Sequence, residues 1–341
     1  MTNLRANHRV LLASRPTGEP TLENFAFVEA AVPTPAPAEL LLRTIYLSLD
    51  PYMRGRMNAA KSYAAPVEVG EVMVGGAVSE VVASNVAGFD VGAIVEGRTG
   101  WQDYALSDGS DVRIVDRTLG PLSTALGVLG MPGMTAYTGL LNIGRPQAGE
   151  TVVVAAAAGP VGSAVGQIAR LKGARAVGIA GGAAKCAYVT GELGFDACID
   201  HRAPEFAERL HSACPRGIDV YFENVGGAVL ESVVPLLNPF ARVPVCGLIA
   251  WYNATTFPGP DRLPGLMRAI LSNRVLVRGF IVSDFAAQHQ QFLSEVGAWV
   301  RAGTMRYRED FTDGLASAPR AFIGMLRGDN FGKAVVRVSS E

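Results

Sequence analysis

Three glycines, Gly159, Gly162 and Gly166, follow an apolar run of β-branched and small residues from Thr151 to Ala158. A helical spacing of apolar residues then continues to Arg170. Strand, glycine turn and helix start in that order suit a pyrophosphate. A backbone without Cβ atoms approaches the anion closely, and the first amides of the helix point at it. The common G-x-G-x-x-G spelling is met except at its first position, where Ala157 stands. Taken alone, the turn also fits a plain tight turn.

The next strand, Ala176 to Ala180, bears on the choice of cofactor. NAD-binding sheets usually end this strand in an acid that holds the ribose 2′-hydroxyl. Here it runs into Gly181-Gly182-Ala183-Ala184-Lys185, with no acid in reach. A cation suits a 2′-phosphate through charge-assisted hydrogen bonds. Lys185 is the first candidate and the His201-Arg202 pair the second, so NADP is expected rather than NAD. The competing reading makes Lys185 a solvated helix charge.

Catalytic zinc needs three Cys, His or acidic ligands converging on an open site. The four histidines and the four cysteines (Cys186, Cys198, Cys214, Cys246) are scattered, and Leu47-Ser48-Leu49-Asp50-Pro51 holds no Cys or His. No metal is expected, and the cysteines read as free buried thiols. Another group must then stabilise charge developing on a substrate oxygen. Tyr252 lies just beyond a strand's carboxyl end, where open parallel sheets place ligands, and its phenol can donate to an enolate oxygen. A packing role competes with that reading.

The 341 residues allow two domains with sizeable cores. A net charge of -1, with 49% apolar and 18% charged residues, gives no reason to expect nucleic acid as a partner. Met1 to Ser14 holds only a four-residue apolar run, too short for a secretory signal, and the glycine-turn segment suits a buried strand and helix better than a lipid span. A cytoplasmic location without membrane attachment is expected.

Residues up to about 120 read as short strands: Leu40 to Leu49, Gly76 to Ser84, Ala93 to Val95, Tyr104 to Leu106 and Val112 to Val115, a β domain that curls toward a barrel. Helices are expected over Leu122 to Leu129 and Gly133 to Leu141. Strands and helices then alternate from Thr151 to Cys246, as a parallel sheet covered on both faces requires. A strand over Val275 to Val282 and a helix over Ala286 to Ala302 follow. After a helix capped by Gly328, a last strand from Lys333 to Val338 is expected to return to the β domain. The alternative is a local hairpin.

Taken together, Leu49-Asp50-Pro51-Tyr52-Met53-Arg54, Gly130-Met131-Pro132-Gly133-Met134-Thr135-Ala136-Tyr137, the glycine-turn stretch, Glu223-Asn224-Val225-Gly226-Gly227 and Gly328-Asp329-Asn330-Phe331-Gly332-Lys333 resemble the medium-chain dehydrogenase/reductase superfamily. The likeness is to its zinc-independent leukotriene/prostaglandin reductase and alkenal double-bond reductase branch. The resemblance implies an α/β fold: a GroES-like β-rich substrate domain over 1–125 and 310–341, and a Rossmann NADP-binding domain over 126–309. It implies an active-site cleft between them, a homodimer, and NADPH-dependent reduction of the carbon–carbon double bond of α,β-unsaturated ketones or aldehydes. By similarity Gly159, Pro160, Val161 and Gly162 meet the pyrophosphate and Lys185 the 2′-phosphate. Asn224, Cys246, Gly247, Leu248, Ile249, Ala250, Trp251, Tyr252, Phe280, Ile281, Val282 and Asn330 line the rest of the cofactor, with Met131 near the nicotinamide end. Tyr252 matches the tyrosine of the enolate step, and Tyr52 is a candidate for the substrate wall. His201 stands where the animal enzymes often have Tyr. Protonated, it would add charge there and make NADPH affinity pH-sensitive. Quinone reduction on the same fold, or a non-catalytic NADP-bound interaction protein, are the other readings.

Overall fold

Leu40–Ser48, an almost uninterrupted apolar run, is buried along nearly its whole length and organises a seven-stranded sheet among the described residues. It pairs antiparallel with Ala77–Ser84, Tyr104–Ser107 and Lys333–Arg337. The last strand therefore returns to the β-rich part of the chain, and the local-hairpin alternative falls. Ile94–Gly97 and Val112–Ile114 extend one side, and Glu309–Asp313 lies parallel to Lys333–Arg337 on the other. This computed structural model describes residues 6–257 and 260–341. Part of the amino-terminal segment and part of the 252–264 loop thus lie outside the described residues.

The chain divides into two units, Met1–Leu126 with Glu309–Glu341, and Gly127–Arg308. In the first, Trp101 stacks on Phe25 at 5.7 Å between ring centroids and meets Phe322 edge-on at 5.6 Å. Aromatic pairs at this distance favour offset or edge-to-face contact. Residues some 220 positions apart in sequence thereby share one core with Leu47, Met53 and Val336.

The second unit carries six strands, all parallel among the described residues. Their order is Ala197–Asp200, Arg175–Ala180, Thr151–Ala155, Ile218–Phe222, Leu237–Val245, Leu276–Gly279. In chain order that is 3-2-1-4-5-6, the doubly wound Rossmann arrangement, which places ligands at the carboxyl ends of its strands. The fold is α/β: a β-rich unit and a Rossmann unit.

Several expected elements are corrected. Leu122–Leu126 is only a 3-10 turn, because Pro121 and the Gly127 and Gly130 backbone leave no room for a longer apolar period. The hairpin of Asn7–Leu12 with Phe25–Ala30, the helix Tyr52–Arg56 and the strand Glu309–Asp313 were not expected. The helix expected from Gly133 begins at Met131, since Pro132 fits a first helical turn, and passes into a π-helical stretch at Gly139–Gly144. The strand near 280 stops at Gly279, and Val282 already opens a 3-10 segment leading to the helix His289–Arg301. Of the four free cysteines only Cys214 is buried; the other three are half-buried.

Candidate active site

The first strand of the Rossmann sheet, Thr151–Ala155, is buried throughout and feeds the helix Pro160–Leu171. Gly159 is the residue before that helix, and its N–H donates to the Ala156 carbonyl oxygen at 2.9 Å. No side chain caps the helix start, so its first-turn amides suit an anion. Gly162 is obligatory on space alone. A Cβ there would sit 2.3 Å from the Ala156 carbonyl oxygen and 2.9 Å from the Ala157 Cα. Ala156, with φ 55°, takes the left-handed backbone conformation. Ala157, which replaces the first glycine of the motif, is buried. The turn therefore forms without that glycine, with strain of order 1 kcal/mol at Ala156.

At the ends of the second and third strands the structure gathers cations. A Cβ on Gly181 would lie 3.0 Å from Arg202 Nε and 3.1 Å from His201 Nε2. The Asp200 carboxylate accepts the N–H groups of Gly182 and Arg202, both at 2.9 Å, and these bonds hold its carboxyl below the usual range. Lys185 projects from the first turn of the helix Ala183–Gly191. Partial burial, then the nearby Arg202 charge, push the His201 imidazole below its ordinary value; Asp200 opposes this and Lys185 adds to it. Arg202 thus joins Lys185 and His201.

The loop after the fourth strand is built around Glu223. Its Oε1 accepts the N–H groups of Val225 at 2.6 Å and Gly226 at 2.9 Å, while its carbonyl accepts those of Cys246 and Gly247. Asn224 Nδ2 donates to the Ala155 carbonyl oxygen at 2.8 Å. The Asn224 and Val225 carbonyls accept from Ile249 and Ala250, so the 223–227 and 246–252 loops are laced together. Gly226 has φ 77°, and Trp251 packs over it at 3.2 Å from where a Cβ would stand. Burial, with Glu223 beside it, pushes the Cys246 thiol up to about 12, so it is protonated at neutral pH.

Tyr252 caps the short 3-10 turn Ile249–Trp251 and folds back over its own loop. Its hydroxyl accepts from the Leu248 N–H at 3.4 Å and lies 3.1 Å from where a Gly247 Cβ would be. Leu248 thus contributes a backbone N–H and Gly247 contributes the space the phenol occupies.

The remaining expected residues are placed as follows. Met131 opens its helix, its carbonyl accepting from Thr135 Oγ1 at 2.7 Å. The Phe280 ring is committed to packing: it meets Phe222 edge-on at 6.1 Å and fills the space a Gly139 side chain would need. Ile281 and Val282 follow, half-buried, where the 3-10 segment begins. Asn330 and Tyr52 belong to the other unit. There Asn330 Nδ2 donates to the Gly332 carbonyl at 2.7 Å. Burial, and then the Asp50 charge, push the Tyr52 phenol well above its ordinary value. Glu223 was absent from the residues expected at the site. The available signal was an acid closing a strand directly before Asn224-Val225-Gly226-Gly227.

The residues present fit a dinucleotide phosphate, with a helix start after the glycine turn that no side chain caps and a cluster of basic side chains at the second strand's end. Among the described residues no group of three or more His, Cys, Asp or Glu is placed to hold a metal ion, and no helix is long and apolar enough to cross a membrane.

Comparison with known proteins gives a coherent set of relatives. Residues 8–115 match the family described as the N-terminal domain of oxidoreductase, and residues 160–298 the family described as zinc-binding dehydrogenase. The chain is 56% identical over 338 residues to NADPH-dependent curcumin reductase of Escherichia coli (strain K12), covering 98% of each chain. It is 41% identical over 327 residues to prostaglandin reductase 1 of Rattus norvegicus, covering 94% of this chain and 95% of the relative. Among solved structures, CurA from Vibrio vulnificus in complex with NADPH superposes with a TM-score of 0.95 at 55% identity, covering 98% of this chain and 100% of that one.

Proposed function

Because the chain belongs to the zinc-independent medium-chain dehydrogenase/reductase superfamily, in the branch of prostaglandin and alkenal reductases, we propose that it reduces the carbon–carbon double bond of α,β-unsaturated ketones and aldehydes. It is an NADP-dependent oxidoreductase. Bound NADPH supplies the hydride that the substrate β-carbon accepts. Gly159, Pro160, Val161 and Gly162 hold the pyrophosphate, and Lys185 and His201 the 2′-phosphate. The 223–227 and 246–252 loops carry the remaining cofactor contacts. Tyr252 donates a hydrogen bond to the oxygen that becomes an enolate, and protonation at the α-carbon completes the reduction. Tyr52 lines the substrate side.

The observation that carries this reading is the Tyr252 phenol lying over Gly247, its oxygen accepting from the Leu248 N–H at 3.4 Å. A preorganised donor of this kind contributes about 2.7–4 kcal/mol to transition-state stabilisation. Tyr252→Phe should lower turnover on a simple enone by about ten- to a thousandfold, while NADPH still binds. Enone reduction at the wild-type rate by that variant sinks the assignment. A wild-type preference for quinones over enones and alkenals under NADPH would move the reading to a quinone reductase.

A second copy of the chain is the proposed protein partner. Leu276–Gly279 is the outer strand of the sheet and is exposed along its length, next to a helix, Leu263–Asn273, that leaves Leu263, Met267 and Leu271 exposed. An open edge of this kind is managed in natural proteins by pairing or covering. A monomeric mass by light scattering would remove this proposal.

A further inference from the structure

The β-rich unit carries charge around Tyr52 that the proposed function leaves unused. Leu47, Ala77 and Gly97 lie in one row across three paired strands. Just past that row the chain emerges twice. Leu47 leads through Asp50 and Pro51 into the helix Tyr52–Arg56, and Gly97 leads directly into Arg98. The Ser48 N–H donates to the Gly76 carbonyl at 2.9 Å and the Gly100 N–H to the Gly75 carbonyl at 3.0 Å, so both exits are tied to one short segment. Tyr52 packs on the core that holds Trp101, which follows Arg98 closely in the chain. Arg56 stands one helical turn after Tyr52, on the same side of the helix. Its carbonyl accepts the Val67 N–H at 2.8 Å, which ties down the segment that carries Tyr63. The electrostatics agree with that placement. Burial, then the Asp50 charge, raise the Tyr52 phenol; Arg98 and Arg56 oppose the rise and Tyr63 adds to it. The acids of this corner are already committed, Asp50 to Lys333 at 2.9 Å and Glu96 to Arg113. Arg56 Nε is buried and has no hydrogen-bond partner among the described residues. A buried donor is normally paired, so an acceptor belongs beside it.

We propose that Arg56 and Arg98 bind a carboxylate that the enone substrate carries on an alkyl chain away from its double bond, with Tyr52 and Tyr63 covering that chain. The inference rests on the enone-reductase reading and names its substrate class: amphiphilic enones with an anionic end. The side chains suit the task. A guanidinium presents a planar fork of donors that matches a carboxylate bidentately, and its weak hydration favours a half-buried site such as that of Arg56. Tyr63, 61% exposed, offers an aromatic face on which an alkyl chain leaves water. Arg98 is exposed and completes the cationic end. A cofactor phosphate is the other anion of the same chemistry, and the experiment separates the two.

Straight-chain enones ending in a carboxylate, over a range of spacer lengths, are compared with their own methyl esters under saturating NADPH. At the best-fitting length the wild-type protein should favour the acid over its ester at least about tenfold in kcat/KM, carried by KM, a ratio typical of a charge-assisted contact. Added salt should shrink that preference. Arg98→Glu, a change at an exposed position, should turn the preference toward the ester. Arg56→Met should lower the ratio and Arg56→Lys should keep part of it, a rescue that a merely structural role does not produce. Equal kcat/KM for acid and ester at every length in the wild type overturns the carboxylate site. So does a ratio that Arg98→Glu and Arg56→Met leave unmoved. An unmoved ratio with a raised NADPH KM assigns the two cations to a cofactor phosphate instead. Reduction of neither acid nor ester removes the enone reading, and this site with it.

Discussion

Asn224 Nδ2 donates to the carbonyl oxygen of Ala155 at 2.8 Å, joining the end of the fourth strand of the Rossmann sheet, counted in chain order, to the end of its first. Ala155 is the last strand residue before the left-handed Ala156 and the glycine turn. The path of the glycine turn is therefore held from the side of a loop more than sixty residues away. One such hydrogen bond contributes about 0.5–1.5 kcal/mol net. Asn224→Ala should raise the NADPH dissociation constant by roughly two- to tenfold, measured by cofactor fluorescence. Asn224→Asp should do worse, since it sets an anion against a carbonyl. Unchanged binding in both variants would show that the turn holds itself.

Glu223 gives a pH-dependent test of the same loop. Burial dominates its environment and raises its carboxyl above its ordinary value, against the lowering effect of the Val225 and Gly226 amides. The charged form is thus disfavoured in the folded protein. Its contribution to stability is fully present below pH 4.5 and is lost as pH rises through the folded value. Glu223→Gln keeps an oxygen for both amides and removes the charge. The melting temperature of that variant relative to wild type should climb between pH 4.5 and 8, by roughly 2–4 °C for each kcal/mol recovered. A difference that stays flat across that range is the result that discards the argument.

The Rossmann half was readable because its signals are local. The β-branched run at Thr151–Ala155 and the glycines after it each name their structure within a few residues. The paired strand Leu40–Ser48 and the returning strand at Lys333 were readable for the same reason. What was missed depends on partners distant in sequence. Asn7–Leu12 alternates weakly and becomes a strand through its register with Phe25–Ala30. Glu309–Asp313 is polar and forms only by lying parallel to Lys333–Arg337. The Phe280 ring fills the space that Gly139 leaves open, a contact no local pattern announces. Glu223 closes a strand in a segment that carried the family likeness, but its two bonds to the Val225 and Gly226 amides appear only once the turn is folded.

Lys333 and Asp50 make the most exacting stability test. Both are buried, with Lys333 Nζ 2.9 Å from Asp50 Oδ1 and 2.6 Å from the Leu49 carbonyl oxygen. The Ser48 hydroxyl donates to the other carboxylate oxygen of Asp50. This pair stitches the end of the first long strand to the returning last strand, so it joins segments more than 280 residues apart. Removing one partner leaves a buried charge uncompensated, which costs about 3–5 kcal/mol, whereas replacing both by apolar groups is often close to neutral. Lys333→Met and Asp50→Leu should therefore each shift the urea midpoint strongly downward, and the double variant should recover much of the loss. Coupling near zero in that double-mutant cycle would mean that the two charges do not stabilise each other, and that the strand return rests on the apolar contacts of Trp101, Phe322 and Val336.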